Sequence, residues 1–496
     1  MSKDAWKALQ DAPAATLAEL FAAEPDRLSR LVVEQCGIRF DFAKTHLGRG
    51  LIEAFLALAD EAGLAGRRDA MFAGETVNPT EGRAAEHSAE RGHGAPESVA
   101  RAAALRTRMR ALVDAIEAEA FGPIRHILHL GIGGSALGPR LVIDALGRRA
   151  GRYEARVVAN VDGAALEEAV AEFDPATTLV VIASKTFTTT ETMLNARSAL
   201  QWLEEGGVAD PYGRVVALTA DPEKAIAFGV DETRVLPFSE AVGGRYSLWS
   251  SVGFSAALAL GWDAFESLLE GAAAMDRHFR FAPLEANAPV LAAFADRYYA
   301  NIRGAETRAV FAYDERLRLL PAYLQQLEME SNGKAAARAT APVVWGGTGT
   351  DAQHAVFQLL HQGTHLVPVE FVAAIEPGNA LDPEHHHQLL INCFAQGAAL
   401  MSGRPSEDPH RAYPGDRPSA TILLDRLDPP TLGALLAFYE HRAFANAALL
   451  GINPFDQFGV ELGKEIAKAL DAGDAPEFDP STRALIARAF GDDENG

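Results

Sequence analysis

The stretch Leu324–Thr364, LQQLEMESNGKAAARATAPVVWGGTGTDAQHAVFQLLHQGT, sets a carboxylate, a small-residue turn, a strand and an imidazole close together. Glu330 precedes a Ser-Asn-Gly-Lys turn, a strand is expected at Pro342–Trp345, and His354 opens a helix after a Gly/Thr loop. An acid and an imidazole on one such unit can pass protons to and from a small polar substrate. Pro321 and Gly333 read as the start and stop of a helix, which puts Glu330 in its last turn. Glu328, two residues earlier, is expected to face solvent. This stretch points to a site without naming the reaction.

Four further stretches carry chemistry. HLGIGGSALGP (His129–Pro139) reads as strand, glycine turn and helix start, where Gly131, Gly133 and Gly134 let backbone N–H groups approach an anion or hydroxyl. A tight βα turn explains it equally well, and a dinucleotide fingerprint is not met because Ala136 stands where the third glycine belongs. VVIASKTFTTTETMLN (Val180–Asn195) runs from an apolar strand into Ser184, Lys185, Thr186, Thr188 and Thr189. Those hydroxyls, N–H groups and one cation suit a phosphate monoester, although Ser and Thr also favour helix starts for capping alone. EAVGGRYSLWSSVG (Glu240–Gly253) places Arg245 behind two glycines that clear space for a planar guanidinium. FDQFGVELGKEIAKAL (Phe455–Leu470) reads as an amphipathic helix with Phe458, Leu462, Ile466 and Leu470 on its apolar stripe. Gln457, Glu461 and Lys464 form its polar row, which is a site only if something covers it. The run His385-His386-His387 does not converge on a helix, so no metal site is expected there. His126 and His129 flank a buried strand and read as core histidines.

These residues need scaffolds, and the chain is long enough to build two. At 496 residues it exceeds one ordinary core, and 48% hydrophobic with 23% charged residues is a globular balance. A formal charge of -22 argues against nucleic acid or an anionic membrane as partner, yet leaves room for a small phosphorylated ligand held by local cations. Cys36 and Cys393 are the only cysteines, so no disulfide framework is indicated, and the acidic start lacks the apolar core of a signal peptide. Helices are expected at Ala14–Ala22, Pro25–Cys36 and Leu47–Ala62, and another at Ser98–Ala120. Strands at His126–Leu130, Arg156–Asn160, Thr178–Ala183 and Val215–Thr219 then alternate with helices. The rhythm resumes at Arg308–Ala312, Pro342–Trp345 and His365–Val372 after a helical bridge, Gly261–Ala288. This pattern predicts two α/β halves with parallel-rich sheets, followed by a loop, Gly403–Thr421, and final helices.

Taken together the stretches resemble the glucose-6-phosphate isomerase (phosphoglucose isomerase) family over about residues 70 to 470. GGRYSLWSSVG and ALLGINPFDQFGVELGK resemble its two signature patterns, and GIGGSALGP, SKTFTT, MESNGK, GTDAQHAVFQLLHQGT and YEHRAFANAALL lie in its order. The resemblance implies a pair of αβα sandwich domains of the sugar-isomerase type, with N-terminal and C-terminal helices. Residues 1–97 would be an N-terminal helical segment packing on the large domain, 98–260 the first such domain and 261–430 the second, with its bridging helices. Residues 431–496 would be the C-terminal helices carrying a site lysine. It also implies roles: Glu330 as the base between C2 and C1 of an open sugar, Arg245 as the cation for the enediolate, His354 and Lys464 for ring opening. Ser184, Lys185, Thr186 and Thr189 would hold the phosphate, and Gly133, Gly134, Ser135 and Gln457 would line the sugar. No cofactor or metal is needed, and a cytoplasmic homodimer with a shared site is implied, the histidine being lent by the neighbouring subunit. SKTFTTTET departs from the usual pattern at Thr190, which leaves a broader hexose-phosphate range open. A non-catalytic sugar-phosphate-binding regulator is the rival class, and the joint presence of Glu330, His354 and Lys464 speaks for the enzyme.

Overall fold

The computed structural model describes residues 3–147, 151–472 and 478–491. An N-terminal hairpin, β1 (Val32–Gln35) and β2 (Ile38–Asp41), precedes the five strands of the first half. These are β3 (His126–Gly131), β4 (Glu154–Val158), β5 (Thr178–Ala183), β6 (Val215–Thr219) and β7 (Val235–Pro237). Four more follow: β8 (Thr307–Tyr313), β9 (Val343–Thr348), β10 (Val369–Ala374) and β11 (Ser419–Leu424).

The first sheet has the order β4-β3-β5-β6-β7 and is parallel throughout. Helices on both faces leave β5 buried along its whole length, which is why TLVVIA reads as an unbroken apolar run rather than an alternating one. Leu128, Val180, Ile182 and Ala217 pack with Ala199 and Leu203 from the helix Thr190–Glu205. Because β4 and β5 lie on opposite sides of β3, the order reverses there. The crevice beyond the carboxyl ends of β3 and β5 is therefore the expected ligand position. The second sheet has the order β1-β2-β11-β10-β8-β9, parallel from β11 to β9 and antiparallel where β2 meets β11 and β1.

Two sequence expectations are corrected. Pro25–Cys36 is not one helix: a short helix, Arg27–Leu31, gives way to β1. The β-branched pair Val32-Val33 favours extended backbone, and Cys36 and Gly37, at φ 57° and 70°, form a two-residue loop closing the hairpin. The loop expected through Thr421 ends earlier, because Ser419–Leu424 is β11, paired on one side with β10 and on the other with β2.

Two long helices, Trp262–Phe281 and Pro429–Leu450, pack together, and the second is buried from Thr431 to Leu450. Burying Asp276 and Glu440 on them requires compensation, and Arg91 supplies it. Its Nε and Nη2 donate to the two Asp276 carboxylate oxygens at 2.9 and 2.7 Å, and Nη1 donates to Glu440 at 2.6 Å. His441 also reaches Asp276, at 2.7 Å.

The chain divides into two compact units, residues 1–454 and 455–496. Among its described residues the second holds the helices Glu461–Asp471 and Pro480–Phe490. Among the described residues no helix is long and apolar enough to cross a membrane.

Candidate active site

Arg245 is the pivot of the site. Its guanidinium is buried, and Nη1 stands 3.5 Å from Glu330 Oε1, a carboxylate that keeps 22% of its side-chain exposure and so remains reachable. Nε donates to Ser331 Oγ at 2.7 Å, and Nη2 donates to the Pro454 carbonyl. Glu330 ends a π-helical turn, Gln326–Glu330, which continues the helix Leu320–Gln325. Such wide turns cluster at functional sites because they re-aim side chains. The same turn overturns the expectation for Glu328, which points inward, is buried, and accepts from Asn332 Nδ2 at 3.1 Å.

The glycine turn after β3 lies directly against Arg245. A Cβ at Gly134 would fall 2.1 Å from the Gly244 carbonyl carbon and 2.5 Å from the Arg245 nitrogen, so only glycine permits this approach of two backbones. Gly133 has φ 57°, and a Cβ there would meet Gln326 Nε2 at 2.9 Å. Gln326 thus faces the turn, one helical turn ahead of Glu330. Sequence reasoning passed over it, although the four-residue spacing to Glu330 was a usable signal. The Ser135 carbonyl accepts from His129 Nε2 at 2.7 Å, and Nδ1 lies 2.7 Å from Ser255 Oγ. Burial pushes the His129 imidazole down to about 4, so it stays neutral and acts as a structural anchor for the turn, in keeping with a core histidine.

The Ser/Thr turn follows β5, and Gly131 and Ala183 at the ends of β3 and β5 are register partners, so the two turns are neighbours. Ser184 Oγ and Thr189 Oγ1 lie 3.0 Å apart, and Thr186 Oγ1 and Thr188 Oγ1 lie 2.8 Å apart. Thr189 does not cap the helix it precedes, which leaves that helix start suited to an anion. Phe187 sits at φ 52°, a conformation costing roughly 1–2 kcal/mol, and its ring is held by an edge contact with Phe228 at 5.8 Å. Lys185 Nζ donates to the Glu240 and Val242 carbonyls at 2.6 and 3.2 Å, which ties this turn to the loop leading into Arg245. Burial, then Arg83 nearby, push the Lys185 ammonium down to about 8 against the pull of Glu81 and Glu240.

One expected residue stands elsewhere. His354 lies on the helix Asp351–Gln362 and lines a cavity of about 560 Å³ with His361, Gln396, Arg404 and Tyr413. Thr350, at φ 43°, and the 2.6 Å hydrogen bond from Tyr313 to Gln353 set the start of that helix. Gln457 and Lys464 belong to the second compact unit. The amphipathic helix there begins at Glu461 after a 3₁₀ turn, Phe458–Val460. Gln457 therefore precedes the helix instead of sharing its polar row, and Phe458 lies outside its apolar stripe.

The crevice of the first half thus assembles a carboxylate, a fixed guanidinium, a glycine turn and a hydroxyl-rich turn with one amine. Comparison with known proteins identifies the family. The family described as Phosphoglucose isomerase matches residues 41–486. The chain is 72% identical over 99% of both chains to "Glucose-6-phosphate isomerase" of Rhizorhabdus wittichii. It is 62% identical to the protein of that name from Zymomonas mobilis, over 98% of this chain and 97% of the other. A crystal structure of a glucose-6-phosphate isomerase from Chlamydia trachomatis superposes with a TM-score of 0.89 at 31% identity, covering 98% of each chain. Sequence and fold agree, and the chain belongs to the phosphoglucose isomerase family.

Proposed function

We propose that this protein interconverts glucose 6-phosphate and fructose 6-phosphate by ring opening and proton transfer through an enediolate, a step of glycolysis and gluconeogenesis. The observation that carries the reading is the buried Arg245 guanidinium set 3.5 Å from the Glu330 carboxylate. Isomerisation needs one base that reaches two adjacent carbons and one cation for the charge that develops between them. Glu330 takes the C2 proton of the open aldose and returns it to C1, while Arg245 steadies the enediolate oxygens. Ser184, Lys185, Thr186 and Thr189 hold the phosphate, far enough from the reacting carbons that its binding energy orients them. Gly133, Gly134 and Ser135 offer backbone groups to the sugar hydroxyls.

His354 and Lys464 serve ring opening, and Gln457 contacts the sugar. For Lys464 and Gln457 the assignment rests on the family motif. His354 lines a different cavity of its own chain, which supports a homodimer in which it works in the site of a second copy. The cytoplasm is the compartment this pathway position implies, and cell fractionation checks it.

The decisive assay is conversion of fructose 6-phosphate to glucose 6-phosphate with a chelator present. Rapid turnover is expected, and tight binding without turnover would make the protein a sugar-phosphate-binding regulator instead. Lys185 predicts the pH dependence of KM. Its ammonium titrates near 8, so below that pH the free protein is already charged for a phosphate dianion. Above it, binding must take up a proton, and KM rises by up to about tenfold per pH unit. Lys185→Arg, which stays charged, should remove that alkaline limb; a limb that persists in this variant assigns it to another group.

A further inference from the structure

We infer that Ser331 and Tyr246 form a positioning relay that fixes the plane of the Arg245 guanidinium for the enediolate; the inference rests on the proposed role of Arg245. Ser331 is the residue after Glu330 and is completely buried. Its Oγ accepts from Arg245 Nε at 2.7 Å and lies 2.8 Å from the Tyr246 hydroxyl. Tyr246 is itself the neighbour of Arg245 in sequence, and the guanidinium carbon sits 5.4 Å from its ring centre. Base and cation are therefore joined through two adjacent pairs, Glu330-Ser331 and Arg245-Tyr246, stitched at one hydroxyl.

The geometry explains why a hydroxyl is placed there. A guanidinium is planar, and anchoring two of its edges defines the direction of the third. Nε is anchored on Ser331 and Nη2 on the Pro454 carbonyl, which holds Nη1 towards Glu330. Ser331 helps to hold the plane from its Nε edge, and because it follows Glu330 directly in the chain, a shift of that helix moves base and cation together.

Tyr246 supports the Ser331 hydroxyl from behind. It is 2% exposed, and its ring stacks on His87 with centroids 4.8 Å apart and planes inclined by 29°. His87 is buried, and burial, then Arg91 and His441, hold its imidazole well below the ordinary range. A neutral ring there adds no positive charge behind Tyr246. Both hydroxyls are buried, so removing one changes the guanidinium's setting rather than admitting bulk water.

A purely structural role and a positioning role separate by ligand. The probes are a five-carbon aldonate phosphate, whose carboxylate reproduces the charge and oxygens of the enediolate, and a hexitol 6-phosphate, which has no charge at those atoms. Ser331→Ala is expected to lower kcat about 10- to 100-fold and to weaken the aldonate phosphate by a similar factor. KM and hexitol phosphate affinity should stay within about twofold, because uniform binding is untouched. Tyr246→Phe keeps the stacked ring and should move the same quantities in the same direction by less. It serves as the second variant should Ser331→Ala fold poorly by its thermal midpoint. In an Arg245→Gln background the effect of Ser331→Ala should vanish, as expected for two groups acting as one.

Equal loss of affinity for both probes, or unchanged kcat in both variants, would overturn the relay while leaving Arg245 in its role. Unchanged kcat and aldonate phosphate affinity in Arg245→Gln itself would overturn the role of Arg245, and the relay with it.

Discussion

Glu330→Gln is expected to lower kcat for fructose 6-phosphate by about 10³- to 10⁴-fold with little change in KM. Glutamine keeps the length and shape of the side chain and still places an oxygen towards Arg245 Nη1, now 3.5 Å from the carboxylate. What it removes is the ability to accept a carbon-bound proton. The loss should appear equally in the exchange of the C2 hydrogen of glucose 6-phosphate with labelled water, because exchange and isomerisation share the enediolate. Full exchange without isomerisation would mean that Glu330 acts only on C1, and undiminished kcat would place the base elsewhere. The same variant tests the shared site. Mixed with His354→Ala under conditions that let subunits exchange, it should regain activity, since a hybrid would hold one site with both residues intact. No recovery, with exchange demonstrated, would confine His354 to its own chain.

Arg91→Met should be the most damaging substitution away from the site. Arg91 is fully enclosed, its guanidinium lies 4.7 Å from the Trp249 ring centre, and it joins Asp276 to Glu440. Methionine fills much of the volume but leaves two carboxylates without their cation, a loss of about 3–5 kcal/mol for a broken buried pair. A fall of roughly 5 °C in thermal midpoint at fixed scan rate is expected for a chain of this size. The pH dependence follows from Asp276. Burial opposes its charge, and Arg91 followed by His441 overcomes this, so its carboxyl titrates well below 3.8. In the native protein that stability is present above pH 3.8 and is lost as pH falls through the depressed value. Without Arg91 the depression shrinks to what His441 and His93 supply, so the deficit should be largest near pH 7.5 and smaller near pH 5, where protonating Asp276 costs less. Adding Asp276→Asn and Glu440→Gln should recover most of the loss, since the penalty lies in the stranded charges. A deficit unaffected by these additions would assign it to packing instead.

The local parts of this molecule were legible because local forces decide them. Thr178–Ala183 and Val215–Thr219 were placed to the residue, since a buried parallel strand leaves a continuous apolar run. The Ser184–Thr189 turn and the Gly133-Gly134 turn were legible because few residue types can serve there. Glu328 was misread because a helix of ordinary pitch would carry it outward, and the π turn that draws it inward has no signature in the sequence. The approach of Gly134 to Gly244, across some 110 residues, and the part played by Gln326 belong to tertiary packing. The hairpin of Val32–Asp41 was hidden because Cys36-Gly37 is a weak turn signal and its partner strand lies near the far end of the chain.

That last pairing has a consequence for synthesis. Ile38–Asp41 lies beside Thr421–Leu424, so during synthesis the earlier strand waits about 380 residues for its neighbour. At 5–20 residues per second the delay is roughly 20–75 s. For that time the nascent hairpin presents a bare edge able to join any other strand, including the same hairpin on the next chain of a polysome. The second sheet can close only once Thr421–Leu424 has emerged, so its order of assembly runs against the order of synthesis.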